Sequence, residues 1–278
     1  MKRMTRREVL ASLGLAGGAG LVSGCGPDAQ SSPADQGGGS QSDRWPYVEL
    51  EPELVAGKAY ELFPDGGCMY GLTGGIINAL GDEIGEPYRS FPVEMMRYGE
   101  GGIAGWGSIC GTLNGAAAVI GLLYATKQSG SAQLLKELNP WDSEKPEWHR
   151  LVDEVFRWYE NAELPTYQPE NASGASDVPS SVAGSVLCHV SLSNWCEASG
   201  NKAFGPWKVE RCRRLTANVA MKTVEVLNEG ADGLPSGDQP TPEATSCMKC
   251  HGKKGQGDAM GKMNCSACHT LPDKHPEQ

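Results

Sequence analysis

Between about Trp45 and Gly230 the apolar residues recur at helical rather than alternating spacing. In Trp207–Glu229, for example, Val209, Leu215, Val219, Val224 and Leu227 fall on one side of a helix wound at 3.6 residues per turn, as one buried stripe requires. Similar patterns predict helices over Glu51–Phe63, Gly67–Gly85, Ser108–Thr126 and Glu144–Ala162, with a short one around Val182–Trp195. Strand-like alternation is absent, so the fold class is mainly α. The run Ala116–Tyr124 is continuously apolar but far too short to span a bilayer, which makes it a central core helix. Gly111, Gly115 and Gly121 would let neighbouring helices approach it closely.

The ends read differently. Lys2, Arg3, Arg6 and Arg7 precede an apolar, Gly/Ala-rich stretch over Ala11–Val22, and Ser23-Gly24-Cys25 follows. A charged start, a short apolar stretch and small residues describe an export signal over residues 1–24. Thr5-Arg6-Arg7-Glu8-Val9-Leu10 resembles a twin-arginine signal, and Val22-Ser23-Gly24-Cys25 resembles a lipobox in which Cys25 takes the lipid. Residues 25–44 are polar, with Gly37-Gly38-Gly39-Ser40 at the centre, and suit a flexible tether. The expected location is the periplasmic side of the cytoplasmic membrane. The whole chain has a net charge of −10. Without Lys2, Arg3, Arg6, Arg7 and Glu8 of the signal, 20 basic against 33 acidic residues remain, a net −13, and nothing like a basic stripe is left for nucleic acid.

Ten cysteines are too few for a disulfide-dense mini-scaffold and too clustered to be core filler. Four lie in Cys247-Met-Lys-Cys250-His251 and Cys265-Ser-Ala-Cys268-His269. C-x-x-C-H attaches c-type haem: two thiols add to the vinyl groups of one porphyrin, and the adjacent His reaches its iron. A zinc ribbon is the rival, but zinc does not require a His after each pair. The segment 231–278 is too short to bury two porphyrins alone. It must lean on the helical domain, on the other haem or on a second subunit.

Cys68, Cys110, Cys188, Cys196 and Cys212 remain. Two disulfides plus a free thiol, or four iron–sulfur ligands with one thiol left over, fit them equally from the residues alone. Export of a folded protein by the twin-arginine route suits a cluster loaded in the cytoplasm. The Gly-rich run Gly99–Gly107 precedes a helix as nucleotide loops do, but no Gly-Lys-Ser/Thr follows it. It reads instead as a turn bringing backbone close to a neighbouring group, such as a cofactor.

Gly67-Cys68-Met-Tyr-Gly, Gly107-Ser-Ile-Cys110-Gly-Thr-Leu-Asn-Gly115-Ala, Val186-Leu-Cys188-His189 and Glu210-Arg-Cys212-Arg-Arg, followed by two C-x-x-C-H sites, resemble the split-Soret cytochromes c. More broadly they resemble the redox-active family named for its C_GCAxxG_C_C signature. This chain has Cys110-Gly111 where the signature has Cys-Ala, a small-for-small change. The resemblance implies a homodimer with two haem c per chain packed at one end, near the interface, and an iron–sulfur centre of the 2Fe-2S type. It implies Cys68, Cys110, Cys188 and Cys212 as cluster ligands, with Cys196 spare. It also implies two His ligands per haem, some crossing between subunits.

His251 and His269 are the proximal ligands by motif. His189, beside Cys188, and His275, in the tail, are the distal candidates, while His149 reads as a surface helix residue. Met248, Met260 and Met263 are sulfur alternatives that would raise the haem potential. Six-coordinate haem has no open site for substrate, so the expected function is electron transfer with redox protein partners rather than catalysis. A reductase of a small oxyanion or a thiol, using Cys196 or an open iron, and a redox sensor are the alternatives.

Overall fold

The computed structural model describes residues 44–125, 146–170, 177–235, 240–252, 254–271 and 275. The predicted signal, Cys25 and the tether up to residue 43 lie outside them.

Helix α1, Pro52–Glu83, reverses at Gly67, where φ of 79° is open to glycine and strained for other residues. Its two halves run antiparallel. Lys58 Nζ reaches Asp82 Oδ2 at 2.6 Å, and Gly75 lies directly against Ala59. The two helices expected on either side of Gly67 are thus arms of one hairpin. Leu72, Ile76, Ile77 and Leu80 on the second arm are fully buried, and each such side chain stabilises the fold by roughly 1.5–3 kcal/mol.

Short 3-10 turns at Tyr88–Ser90 and Val93–Gly99 lead into α2, Gly111–Tyr124. Leu113, Ala116, Val119, Ile120 and Leu123 of α2 are buried, as a central core helix requires. Close approach is found at Gly111 and Gly115 but not at Gly121, which has nothing within 4 Å of an added Cβ. Helix α2 starts three residues later than expected because Ile109 forms an antiparallel bridge with Leu187.

Helix α3, Glu147–Asn161, buries Leu151, Val155 and Tyr159 at four-residue spacing. Strands β1, Glu163–Leu164, and β2, Ser181–Val182, pair antiparallel. Val182 is therefore in a strand rather than in the helix expected around it. Helix α4, Cys188–Ser199, begins only after the extended run that meets Ile109 and ends at Gly200, with φ of 70°. Helix α5, Pro206–Glu229, packs along both α1 and α2.

Helix α6, Pro242–His251, was not expected; Pro242 opens it, and the Thr241 hydroxyl caps it by accepting from Ala244 N at 3.1 Å. Buried Ala244 and an ion pair of Lys262 with Asp153 of α3, at 2.7 Å, hold the tail to the helical body. Among the described residues no helix is long and apolar enough to cross a membrane.

Candidate functional site

Four segments far apart in sequence bring their cysteines together. Cys68 is the first residue after the reversal at Gly67, and Cys110 caps α2. Cys188 opens α4, and Cys212 lies in the second turn of α5. The bridge at Ile109 and Leu187 aligns two of them: Cys110 N donates to Val186 O at 2.9 Å, and Cys188 N donates to Ser108 O at 2.7 Å. Cys68, Cys110 and Cys212 are buried and Cys188 is half-buried. The Gly-rich run closes the pocket. A Cβ on Gly102 would meet Cys188 Cβ at 2.8 Å, and one on Gly111 would meet Cys68 Cβ at 2.9 Å and Gly99 O at 2.5 Å. This loop is the close backbone approach expected of it.

The sulfurs form two hydrogen-bonded pairs. The Cys188 thiol donates to Cys110, which lowers the Cys110 pKa to about 5, with further help from Thr112 and Tyr159. The Cys68 thiol donates to Cys212, and this bond, together with the charge of Arg211, lowers the Cys212 pKa to about 6. The donors move the other way: Cys68 and Cys188 are raised by holding their protons against a thiolate and by burial. Each pair also feels the charge of the other. Helix N-termini at Cys110 and Cys188 add their positive dipole ends. All nine described cysteines are free thiols. Among the described residues no group of three or more His, Cys, Asp or Glu is arranged to hold one metal ion.

Sequence reasoning missed the pocket's polar wall. Arg211 is 3% exposed, and its Nη2 donates to Ser191 Oγ at 2.7 Å and to Ser191 O at 3.3 Å. Its Nη1 approaches Cys212 Sγ at 3.9 Å. Burial works against its charge, but the neighbouring Cys212, Tyr159 and Cys110 outweigh it and raise the pKa above the ordinary range. Tyr159 is hydrogen-bonded to Ser191 at 2.9 Å and contacts Cys110, so the wall runs from one cysteine pair to the other. The available signal was an Arg next to a signature Cys. Cys196, later in α4, is half-buried and does not join either pair.

The tail is built the opposite way. Cys247 and Cys250 lie on α6, Cys265 lies on a 3-10 turn, Cys265–Ala267, and Cys268 follows it; Cys250 and Cys268 are exposed. Cys265 contacts Cys247, so the two motifs are neighbours. His251 Nδ1 is 3.1 Å from Asp258 Oδ1, which leaves Nε2 available. The His275 ring lies 6.0 Å from that of His251. His189 is exposed with its Cβ against Gly107, while His149 is half-buried beside Trp148 rather than fully at the surface. Met260 and Met263 are exposed.

Residues 74–226 match the family model described as "Putative redox-active protein (C_GCAxxG_C_C)", a stretch that begins just past Cys68 and includes the other three pocket cysteines. A curated relative, the split-Soret cytochrome c of Desulfovibrio desulfuricans, is 34% identical over 95% of this chain and 94% of its own length. A solved structure described as "A novel iron centre in the split-Soret cytochrome c from Desulfovibrio desulfuricans ATCC 27774" superposes with a TM-score of 0.69 at 35% identity. It covers 82% of this chain and 91% of that one. The chain belongs to the C_GCAxxG_C_C redox-active family and, within it, to the split-Soret cytochromes c.

Proposed function

We propose that this chain is an exported, lipid-anchored electron-transfer protein carrying two haem c groups and an iron–sulfur centre. The observation that carries the reading is the convergence of Cys68, Cys110, Cys188 and Cys212 in one pocket of a chain that also holds two C-x-x-C-H motifs. The donors suit the groups. Two cysteine pairs provide two thiolates for each iron of a two-iron cluster. Nearby cations favour the charged sulfurs, and a buried guanidinium offsets the negative charge such a centre brings. In the tail, exposed thiols stand ready for covalent attachment, and Asp258 orients His251 with Nε2 toward an iron. The proximity of His275 to His251 supports it as the second ligand there, and His189 is the candidate for the other haem.

When bound, these groups supply one-electron chemistry. The protein's part is to exclude water from the cysteines, fix the His tautomers and hold the centres close together. Exposed haem motifs on a short segment favour a homodimer in which a second subunit helps to cover them. The acidic chain favours basic redox partners and a salt-dependent encounter. Cys25 would keep the protein on the periplasmic side of the cytoplasmic membrane.

The test is an iron count on the purified protein beside a haem count and an intact mass. Four irons for two haems, and loss of only the non-haem iron in Cys68→Ser/Cys212→Ser, are expected. Two irons per chain with a mass four hydrogens lower would replace the cluster by two disulfides. Carbon monoxide binding to the reduced native protein without loss of a His ligand would replace the relay by an enzyme.

A further inference from the structure

Arg211 is a buried cation for which the protein supplies no carboxylate. Its neighbours on α5 are satisfied within the fold: Arg213 Nε donates to Tyr60 O at 2.7 Å, and Arg214 Nε pairs with Glu210 Oε1 at 2.8 Å. Arg211 has Ser191 on one nitrogen and a long contact to Cys212 on another, while its buried Nε has no hydrogen-bond partner. Among the described residues no acidic side chain is paired with it. A guanidinium does not escape this cost by losing a proton, because it stays charged in proteins. Taking such a charge out of water is costly unless an anion compensates. The nearest group that can carry negative charge is the sulfur of Cys212, 3.9 Å from Nη1.

We propose that Arg211 is the positioning residue that compensates the charge of the centre held by Cys68, Cys110, Cys188 and Cys212, and thereby sets its reduction potential. This rests on the iron–sulfur reading above. Two ferric ions, two sulfides and four thiolates sum to −2. One electron from an outside reductant such as dithionite makes one iron ferrous and the sum −3, with no proton required. A fixed positive charge stabilises the −3 state more than the −2 state and so raises the potential. Ser191 decides where that charge sits, because it holds Nη2 through both its hydroxyl and its carbonyl. The charge sits beside Cys212, 3.9 Å from its Sγ, and the tie of Ser191 to Tyr159, which itself reaches Cys110, links its anchor to the other cysteine pair.

The experiment is a redox titration of the full-length holoprotein followed by electron paramagnetic resonance, with iron and haem counts on every sample. Arg211→Gln should make reduction of the centre at least tenfold less favourable, a fall of about 59 mV for one electron, with both haem potentials unchanged. Arg211→Lys, which keeps the charge, should recover most of the shift. A native potential in Arg211→Gln with the centre retained overturns the proposal. If Arg211→Gln fails to load iron, loading by Arg211→Lys with a potential close to native supports the charge role. Failure of both, beside a native potential in Ser191→Ala, assigns Arg211 to folding alone and overturns it. A native protein with no iron beyond its haems refutes the cluster reading itself, a result readable before any variant is made.

Discussion

The four-cysteine pocket and the tail with its two C-x-x-C-H motifs hold the same kind of side chain under opposite conditions. In the pocket, residues as far apart as Cys68 and Cys212 are pulled together by packing of the α1 hairpin against α5, and the thiols are largely buried. In the tail, each motif's thiols and His are neighbours in sequence and partly or fully exposed. The pocket is therefore expensive to build and rigid, with glycines shaped to it and a buried cation to balance it. The tail is held to the body by features such as Lys262 with Asp153 and by buried Ala244. A porphyrin brings its own apolar surface, so the chain around it needs little core. A small inorganic cluster brings none, and the protein must provide the whole enclosure.

The sharpest way to break this contrast is to overfill the pocket. Gly111→Ala puts a methyl 2.5 Å from Gly99 O and 2.9 Å from Cys68 Cβ, and the first of these is backbone that cannot rotate away. The expected cost is about 1–3 kcal/mol, read as a lower denaturation midpoint, together with loss of non-haem iron. Haem stoichiometry should remain two, because the tail does not share that packing. Equal loss of haem and non-haem iron would show that the two regions fold as one unit. The Cys-Ala of the family signature is not, at this position, interchangeable with Cys-Gly unless the Gly99 carbonyl moves.

A smaller effect sharpens the comparison from the tail's side. Asp258 Oδ1 accepts from His251 Nδ1 at 3.1 Å, and a carboxylate there makes the imidazole a more basic ligand that favours ferric iron. Asp258→Asn should raise the potential of one haem, by no more than about tenfold in its reduction equilibrium because both side chains are partly exposed. On the proposed reading, a haem held by Cys265 and Cys268 should not follow. A spectroelectrochemical titration resolving both haems checks this, and a parallel shift of the two would mean that Asp258 acts through the general field of the tail.

What could be read from sequence follows the same division. The C-x-x-C-H motifs were legible because every ligand falls within a few residues of the next, and the break between the helices over Glu51–Phe63 and Gly67–Gly85 was legible too, although Gly67 proves to be the reversal itself rather than the start of the second helix. The start of α4 was misplaced because Val182 to Leu187 is short and apolar, and only the pairing of Val182 with Glu163 and of Leu187 with Ile109 makes it extended. The choice between disulfides and metal ligands could not be made from spacing, since pairing across the fold decides it. Nothing in the sequence sets Arg211 apart from Arg213 and Arg214 beside the same Cys212, whereas the fold gives each a different partner.

The smallest predicted effect tests the seam between the regions. Glu160, at the end of α3, is 7% exposed, and burial raises its pKa against the opposing pull of the Val186 N–H and Arg157; Glu243 of α6 adds to the rise. Its Oε1 has no hydrogen-bond partner. A carboxyl raised in the folded state favours folding when protonated. Its contribution is fully present below the unfolded value near 4.3 and is lost as pH rises through the higher folded value. Glu160→Gln mimics the protonated form, so its melting temperature should modestly exceed that of the native protein at pH 7, and the difference should vanish toward pH 4. Because Glu243 belongs to α6, Glu243→Gln should reproduce part of the gain if the tail holds the same position in the holoprotein, and none of it if haem loading carries α6 away from α3.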